Sequence, residues 1–388
     1  MAKHRFTPRA MIDVLVGMPT VSRDSNLELI NFVRDYLADY GVVSTLVEND
    51  DGSKANLYAS VGPLEEGGVV LSGHTDVVPI DDQDWNSDPF EVSEADGRLY
   101  GRGTADMKSF IAIALALVPE MHKLRLPVHF ALSYDEEVGC LGAPRLIRDM
   151  TANVPMPKAV IVGEPTSMGV VTAHKGIFHF DTHIVGKEAH SSQQQRGVGA
   201  VMVAGRLINW LAEKQANNAA VADADVDSHS LFEPAYSSLH CGVIHGGTAH
   251  NITARHCSFV TDIRTLPGED PMDYFRDFEC HAREKIEPAM HAICPDTSIS
   301  FDITANVPAF QCDDDDEAVV LVKQLTGQNM TTAVPYGAEA GQFSQAGYSV
   351  VMCGPGSIDQ AHQPNEFISL AQVEEGTQFV RNLIGHLS

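Results

Sequence analysis

Two apolar runs that each lead into a potential ligand side chain constrain the fold of this chain more than any other feature. Residues 69–72 lead into His74, and residues 159–162 lead into Glu164. Apolar runs of this length are typical of strands buried on both faces of a parallel sheet. Because the carboxyl ends of parallel strands meet at one edge of a sheet, we expect the side chains that follow them to converge.

The same pattern occurs twice more along the chain. Residues 128–133 lead into Glu136 and Glu137, and the Cys-Gly-Pro-Gly loop that begins at Cys353 leads into His362. Each signal alone has an ordinary alternative, such as a solvated acidic pair, a turn or a surface histidine. Their recurrence at successive strand ends makes a shared site the better interpretation.

A further candidate, Asp106, follows Gly-Arg-Gly-Thr at the predicted start of a helix, where an aspartate alone is most often a cap. The candidate ligands are His74, Asp106, Glu137, Glu164 and His362. This mixture of nitrogen and oxygen donors suits zinc or a similar divalent ion. Asp106 could bridge two ions, with His74 and Glu164 on one and Glu137 and His362 on the other.

Two more carboxylates, Asp76 and Glu136, lie beside candidate ligands. Asp76 follows His74 by two residues and is expected to orient its imidazole ring. Two ions ~3.5–4 Å apart polarise a carbonyl group and lower the pKa of a shared water. Glu136 is too constrained by its neighbour Glu137 to bind an ion as well, so we expect it to act as a general base. The set therefore indicates an amide hydrolase.

The first part of the chain alternates between helix and strand patterns. Helix patterns cover residues 10–16, 27–40 and 109–121, and strand patterns cover residues 42–47, 56–61, 69–72, 128–133 and 159–162. This alternation predicts an α/β sheet with helices on its faces.

A small α+β unit is predicted as an insertion. Its strands cover residues 176–185, 239–244 and 257–263, and its helices cover residues 199–214 and 272–286. The polar stretch 216–227 is expected to be a mobile loop. Predicted helices at 318–325 and 370–387 flank a strand at 349–352. The expected domains are therefore 1–175 and 307–388 for the α/β part and 176–306 for the insertion.

The composition narrows the possible partners and location. The 388 residues carry a formal net charge of −26, which argues against nucleic acid as a partner. No stretch approaches the ~20 apolar residues of a membrane helix, and the first residues lack a signal-peptide core, so a cytoplasmic protein without membrane contact is expected. The seven cysteines form no close pair, which favours reduced thiols.

The chain resembles the M20-type co-catalytic metallopeptidase and deacylase family and is most similar to its bacterial deacetylases. The resemblance extends over nearly the whole length and is carried by residues 73–79, 99–108, 163–166, 173–176 and 353–366. It implies a zinc-peptidase-like catalytic domain with a mixed sheet and an inserted α+β lid that forms a homodimer. It also implies two bound divalent ions, with Zn²⁺ as the expected metal and Co²⁺ as a possible substitute.

The resemblance also implies roles for residues of the lid. His190 would stabilise the oxyanion in the partner's active site, although a loop histidine is the ordinary interpretation. Asn251 and Arg264 would bind the substrate, and Arg264 could hold an α-carboxylate in bidentate fashion. An ion pair between Arg264 and Asp262 or Glu269 is the alternative.

The expected substrate is a small N-acylated amino acid. Removal of the acetyl group from Nα-acetyl-L-ornithine, a step of arginine biosynthesis, is the reaction that the resemblance favours. Glu339 is a candidate partner for the side-chain ammonium, with an ordinary loop glutamate as the alternative. Succinyl-diaminopimelate desuccinylation, another aminoacylase or dipeptidase activity, and a binding module without catalysis stay open.

Overall fold

The computed structural model describes residues 5–224 and 230–388, which divide into two compact units. The first contains the described residues up to Ala173 together with Phe310–Ala333 and Ala338–Ser388. The second contains the described residues of His174–Ala309 together with Val334–Gly337.

A mixed nine-stranded sheet forms the centre of the first unit, with the order β1-β2-β6-β3-β7-β15-β8-β13 and β14 paired to β8. Its strands are β1 Ser44–Glu48, β2 Ala55–Val61, β3 Val69–His74, β6 Val128–Ser133, β7 Ala159–Val162, β8 Val170–His174, β13 Phe310–Gln311, β14 Thr331–Val334 and β15 Val350–Met352. A three-stranded sheet in the order β16-β5-β4 consists of β4 Ser93–Ala95, β5 Arg98–Tyr100 and β16 Phe367–Ser369.

The four central strands β6, β3, β7 and β15 run parallel, and antiparallel strands flank them on both sides. Every residue of these four strands is buried, which explains their continuous apolar sequences. Their carboxyl ends share one edge of the sheet, and the polar residues that follow them are brought together there.

The helices of the first unit pack against its central sheet and against one another. They are α1 Pro8–Val16, α2 Leu27–Asp39, α3 Lys108–Ala116, α4 Ala143–Asn153, α8 Glu317–Thr326, α9 Ala340–Gln345 and α10 Leu370–Leu387. Every residue of α3 is buried, so this apolar helix belongs to the core and holds the segment that precedes it in place. A 3₁₀ turn at Val118–Glu120, which contains Pro119, follows α3.

The second unit is an antiparallel sheet with helices on one face. Its strands, in the order β10-β11-β9-β12, are β9 Ile177–Val185, β10 Ser238–Gly246, β11 His256–Arg264 and β12 Ser298–Val307. Its helices are α5 Ala200–Ala224, α6 Pro271–His281 and α7 Glu287–His291, with a π-helical turn at Ala282–Ile286. Burial alternates along β9 with Phe178, Phe180, Thr182 and Ile184 inside, as the two-residue period predicts.

The prediction of a mobile loop at 216–227 is wrong over residues 216–224, because α5 continues to Ala224. Residues 225–227 lie outside the described part. The segment is rich in alanine and contains neither glycine nor proline, so its helix propensity outweighs its polar character.

Among the described residues, no helix combines the length and apolar character that crossing a membrane requires. All seven cysteines lie in the described part, and none of them forms a disulfide.

His129 is a buried titratable group that ties the stability of the first unit to pH. Its Nδ1 lies 2.7 Å from the Ser60 hydroxyl, and its Nε2 has no hydrogen-bond partner among the described residues. Burial lowers the pKa of His129 from 6.5 to about 4, because the charged form would lose its hydration.

We predict that replacing His129 with Leu flattens the acid side of the stability curve. Below pH 6.5 His129 binds a proton in the unfolded chain, whereas in the folded chain it stays neutral down to about pH 4. The wild type should therefore lose roughly 3 kcal/mol more than His129→Leu between pH 6.5 and 4. Urea unfolding at both pH values measures this difference, and parallel losses in the two proteins would contradict it.

Candidate metal centre

The edge formed by the parallel strands carries the predicted ligands. His74 is the last residue of β3, Glu164 follows β7 by two residues, and Glu137 lies in the turn after β6. Asp106 lies just before α3, and His362 lies in the long loop between β15 and β16. The structure therefore brings together five side chains that are far apart in sequence.

One group of donors consists of His74, Asp106 and Glu164. Their ligand atoms lie within 4.8 Å of one another, and all three residues are buried. His74 Nε2 is 2.9 Å from Asp106 Oδ1. Glu164 Oε1 is buried and has no hydrogen-bond partner within the described residues, which is costly unless a cation is bound there.

A second group consists of Asp106, Glu137 and His362, again with ligand atoms within 4.8 Å of one another. His362 Nε2 lies 3.0 Å from Glu137 Oε2 and 3.4 Å from Asp106 Oδ2. Asp106 thus presents one carboxylate oxygen to each group. This is the arrangement expected of a carboxylate that bridges two ions.

The pKa values show how strongly these charges depend on one another. Burial raises the pKa of Glu164 well above its usual value, and the charge of Asp106 raises it further. Burial would also raise the pKa of Asp106, but hydrogen bonds with His362 and His74 outweigh it and lower that pKa. The same hydrogen bonding, to Asp106 and Glu137, raises the pKa of His362 to about 10. Acidic groups crowded in this way are well suited to cations with two charges.

Asp76 acts on two neighbours through different atoms. Its backbone carbonyl oxygen, 2.9 Å from His74 Nδ1, fixes the imidazole, while its carboxylate Oδ1 is 3.7 Å from that nitrogen. The carboxylate accepts hydrogen bonds from the backbone N–H groups of Glu136 and Glu137 at 3.1 and 3.3 Å, and from the Ser22 hydroxyl at 2.7 Å. Asp76 therefore positions the turn that carries the general-base candidate as well as the histidine.

Glu136 is half-buried beside both donor groups and belongs to neither. The Cys140 thiol donates a hydrogen bond to Glu136 Oε1 over 3.3 Å. Burial raises the pKa of Glu136 well above its usual value; the charges of Glu137 and Asp106 add to this, and His74 opposes it. A carboxyl group with a raised pKa holds an accepted proton more readily and can pass it on to a departing group.

Glu339 lies in the first unit, at the start of α9, and only 1% of its surface is exposed. Its Oε2 accepts a hydrogen bond from the Ser72 hydroxyl over 3.2 Å. Its side chain is buried, and its role as a partner for a substrate ammonium stays a prediction.

The other candidate substrate residues lie in the second unit. His190 is exposed, with its Nδ1 2.8 Å from the Ser192 hydroxyl, and Asn251 is an exposed loop residue. Arg264, at the end of β11, binds Asp262 through Nε at 2.9 Å. The ion pair considered as an alternative is therefore present, and the roles of all three residues stay predictions.

Arg102 and Glu366, which no local sequence pattern singled out as functional, form a fully buried ion pair next to Asp106. A signal was present, because Arg102 stands between Gly101 and Gly103 in a segment where burial of a charge needs a partner. The position of that partner, more than 260 residues further along, had no local sign.

Comparison with known proteins identifies the class. The family model described as Peptidase family M20/M25/M40 matches residues 70–386, and the chain belongs to this family. The site and the family together define a metal-dependent hydrolase.

Individual relatives extend this result. The chain is 35% identical over 386 residues to an acetylornithine deacetylase of Yersinia pseudotuberculosis, covering 96% of this chain and 95% of that protein. It superposes with a TM-score of 0.78, at 17% identity and 97% and 98% coverage, on an M20 family metallo-carboxypeptidase from Sulfolobus solfataricus. Superposition on a dinuclear metal binding peptidase of this family from Bacillus subtilis gives a TM-score of 0.63 at 15% identity, covering 98% of this chain and 97% of that protein. The predicted fold class is confirmed.

We predict that chelator-stripped protein binds two divalent ions per chain, one for each donor group. Calorimetric titration with ZnCl₂ counts them, and zinc at ~100 times the dissociation constant of each site should stabilise the fold by about 2.7 kcal/mol per bound ion. Glu164→Ala should retain one tightly bound ion, whereas the control Glu120→Ala, which removes a surface pair with Arg381, should retain both. Two ions of unchanged affinity in Glu164→Ala would contradict the assignment.

Proposed function

We propose that the protein removes the acetyl group from Nα-acetyl-L-ornithine, giving L-ornithine and acetate. The observation that supports this substrate most directly is 35% identity, across 96% of the chain, to a relative that carries the name acetylornithine deacetylase. The paired donor groups that share Asp106, with Glu136 beside them, support the hydrolytic chemistry. The net charge of −26 also favours a substrate with a cationic side chain.

Two divalent ions, zinc first and cobalt as a substitute, would be held by the donor groups around Asp106. When bound, they supply a polarised acyl carbonyl and a water of lowered pKa. Glu136 takes the proton of the attacking water as the oxygen adds to the acyl carbon. It then gives this proton to the nitrogen as the carbon–nitrogen bond breaks, so that the amine leaves neutral. Asp76 holds Glu136 in position through the hydrogen bond to its backbone N–H.

Three residues of the second unit are the candidates for substrate recognition. Arg264 pairs with Asp262 through Nε, and the Nη edge of its guanidinium would hold the α-carboxylate. Asn251 would bind the substrate beside it. His190 would stabilise the oxyanion in the active site of a partner subunit.

The role proposed for His190 requires a second subunit, and we propose a homodimer formed through the second unit. Exposed apolar side chains lie on α5 and on the edge strand β10, including Met202, Val221 and Ile244, which are 75%, 73% and 47% exposed. Apolar side chains on a helix and an adjoining sheet edge are suited to contact a second copy.

A substrate panel separates this proposal from its alternatives. We expect the zinc- and cobalt-loaded enzyme to hydrolyse Nα-acetyl-L-ornithine with a kcat/KM at least ~10-fold above that for succinyl-diaminopimelate, acetylmethionine or dipeptides. A factor of 10 corresponds to 1.4 kcal/mol, less than one well-made charged hydrogen bond. Preference for the succinyl substrate would replace the deacetylase assignment, and no hydrolysis of any of them would favour a binding module.

Replacing Glu136 with Gln tests its role as the general base. The variant keeps the size of the side chain but cannot accept the proton, so kcat should fall by ~10²–10⁴. Both ions should stay bound, because Glu136 belongs to neither donor group. Turnover within about threefold of the wild type in fully loaded protein would remove Glu136 from this role.

Mixed dimers test the exchange of His190 between subunits. His190→Ala and Glu136→Gln should each be nearly inactive alone. Co-expression should produce hybrids in which one of the two sites combines an intact Glu136 with an intact partner histidine, so about a quarter of wild-type activity should return. If the mixture shows no more activity than the two variants measured separately, His190 does not act across subunits.

A further inference from the structure

The buried pair Arg102–Glu366 lies next to the loop that carries Asp106. Both side chains are 1% exposed, and Arg102 Nη1 donates to Glu366 Oε2 over 2.7 Å. The other oxygen, Glu366 Oε1, accepts three backbone N–H groups, those of Gly103, Ala105 and Asp106, at 3.0, 2.8 and 3.1 Å. One carboxylate therefore fixes the backbone on which the shared ligand is mounted.

Arg102 also connects this loop with the loop of His362. Its Nη2 donates to Gln83 Oε1 over 2.6 Å, and Gln83 Nε2 donates to the His362 carbonyl oxygen over 3.1 Å. The Trp85 indole N–H donates to the same Gln83 Oε1 over 3.1 Å, and its ring centroid lies 5.1 Å from the Arg102 guanidinium carbon. A continuous chain of contacts thus runs from Asp106 to His362.

We propose that Glu366, Arg102 and Gln83 form a loop clamp that holds the Asp106 and His362 loops in register and thereby sets the affinity of the Asp106–Glu137–His362 group for a divalent ion. The members of this clamp are positioning residues, because none of them belongs to either donor group.

His362 is the ligand with the greatest need of such support. Its side chain is 51% exposed, whereas those of Asp106 and Glu137 are 7% and 6% exposed. Its backbone has a φ of 62°, in the left-handed region, where a residue with a side chain needs support from its surroundings. Because packing covers only about half of this side chain, the position of His362 depends more on the hydrogen bond from Gln83 to the His362 backbone carbonyl oxygen.

Charge-assisted hydrogen bonds of this kind are short and directional, so they transmit position well. Groups that orient metal ligands without touching the metal change metal affinity by 10- to 100-fold when they are removed. A buried ion pair that only supported the fold would instead change stability and leave the affinity for ions unchanged.

The test is calorimetric titration of chelator-stripped protein with ZnCl₂, in the absence of substrate. Gln83→Ala removes the half-buried end of the clamp without leaving a buried charge unpaired, so the variant should fold. It should bind one of the two ions ~10- to 100-fold less tightly than the wild type, as expected for the ion of the Asp106–Glu137–His362 group. Arg102→Gln combined with Glu366→Gln removes both buried charges together and should show at least the same loss. The d–d absorption of the Co²⁺-loaded proteins should change with it.

Tyr36→Phe serves as the matched control. It deletes the buried hydrogen bond from the Tyr36 hydroxyl to the Leu115 carbonyl oxygen and leaves the loops of Asp106 and His362 untouched. Its zinc affinities should equal those of the wild type.

Turnover provides a second readout. At limiting zinc the kcat of Gln83→Ala should fall, excess zinc should restore it, and KM should not change. Zinc affinities of Gln83→Ala within about twofold of the wild type would overturn the proposal, and so would an equal loss in Tyr36→Phe. Because the titration contains no substrate, its result does not depend on which acylated amino acid the enzyme uses.

Discussion

The shared carboxylate of Asp106 is the constraint on which the rest of this site depends. It lies between His74 and His362, with one oxygen directed at each, while Glu164 and Glu137 approach from either side. The carboxylates of each donor group lie within 4.8 Å of one another and repel each other, and their burial adds the free-energy cost of lost hydration. Two bound divalent cations would offset both penalties, so the crowding of acidic groups at this sheet edge fits a two-ion site.

The architecture of the first unit follows from the need to deliver these groups to one place. Parallel strands end side by side, so His74 at the end of β3, Glu164 two residues past β7 and Glu137 four residues past β6 need no long loop to reach one another. His362 reaches the site through the long loop after β15, and Asp106 precedes the buried helix α3 rather than following a strand. Its backbone is held instead by Glu366, a residue that comes from the far end of the chain.

Much of this arrangement could be predicted from the sequence, because the determining signals are local. Apolar runs of four to six residues predicted β3, β6 and β7, and the side chains directly after them predicted His74, Glu137 and Glu164. The two-residue period along β9 predicted which of its faces is buried. Short-range patterns of this kind depend on backbone geometry alone.

The features that could not be predicted depend on contacts between distant residues or on competition between two weak tendencies. The partnership of Arg102 with Glu366 joins segments separated by most of the chain. The use of the Asp76 carbonyl, rather than its carboxylate, to orient His74 depends on a difference of less than 1 Å. The extension of α5 to Ala224 was decided by alanine content over polarity, and the deep burial of Glu339 depends on how α9 packs.

A crystal structure of zinc-loaded protein, with anomalous data collected on both sides of the zinc absorption edge, tests the central claim most directly. We expect two anomalous peaks about 3.5–4 Å apart, one on each side of the Asp106 carboxylate. One peak would be bound by His74 and Glu164, and the other by Glu137 and His362. A single peak, or zinc bound elsewhere with these side chains unligated, would contradict it.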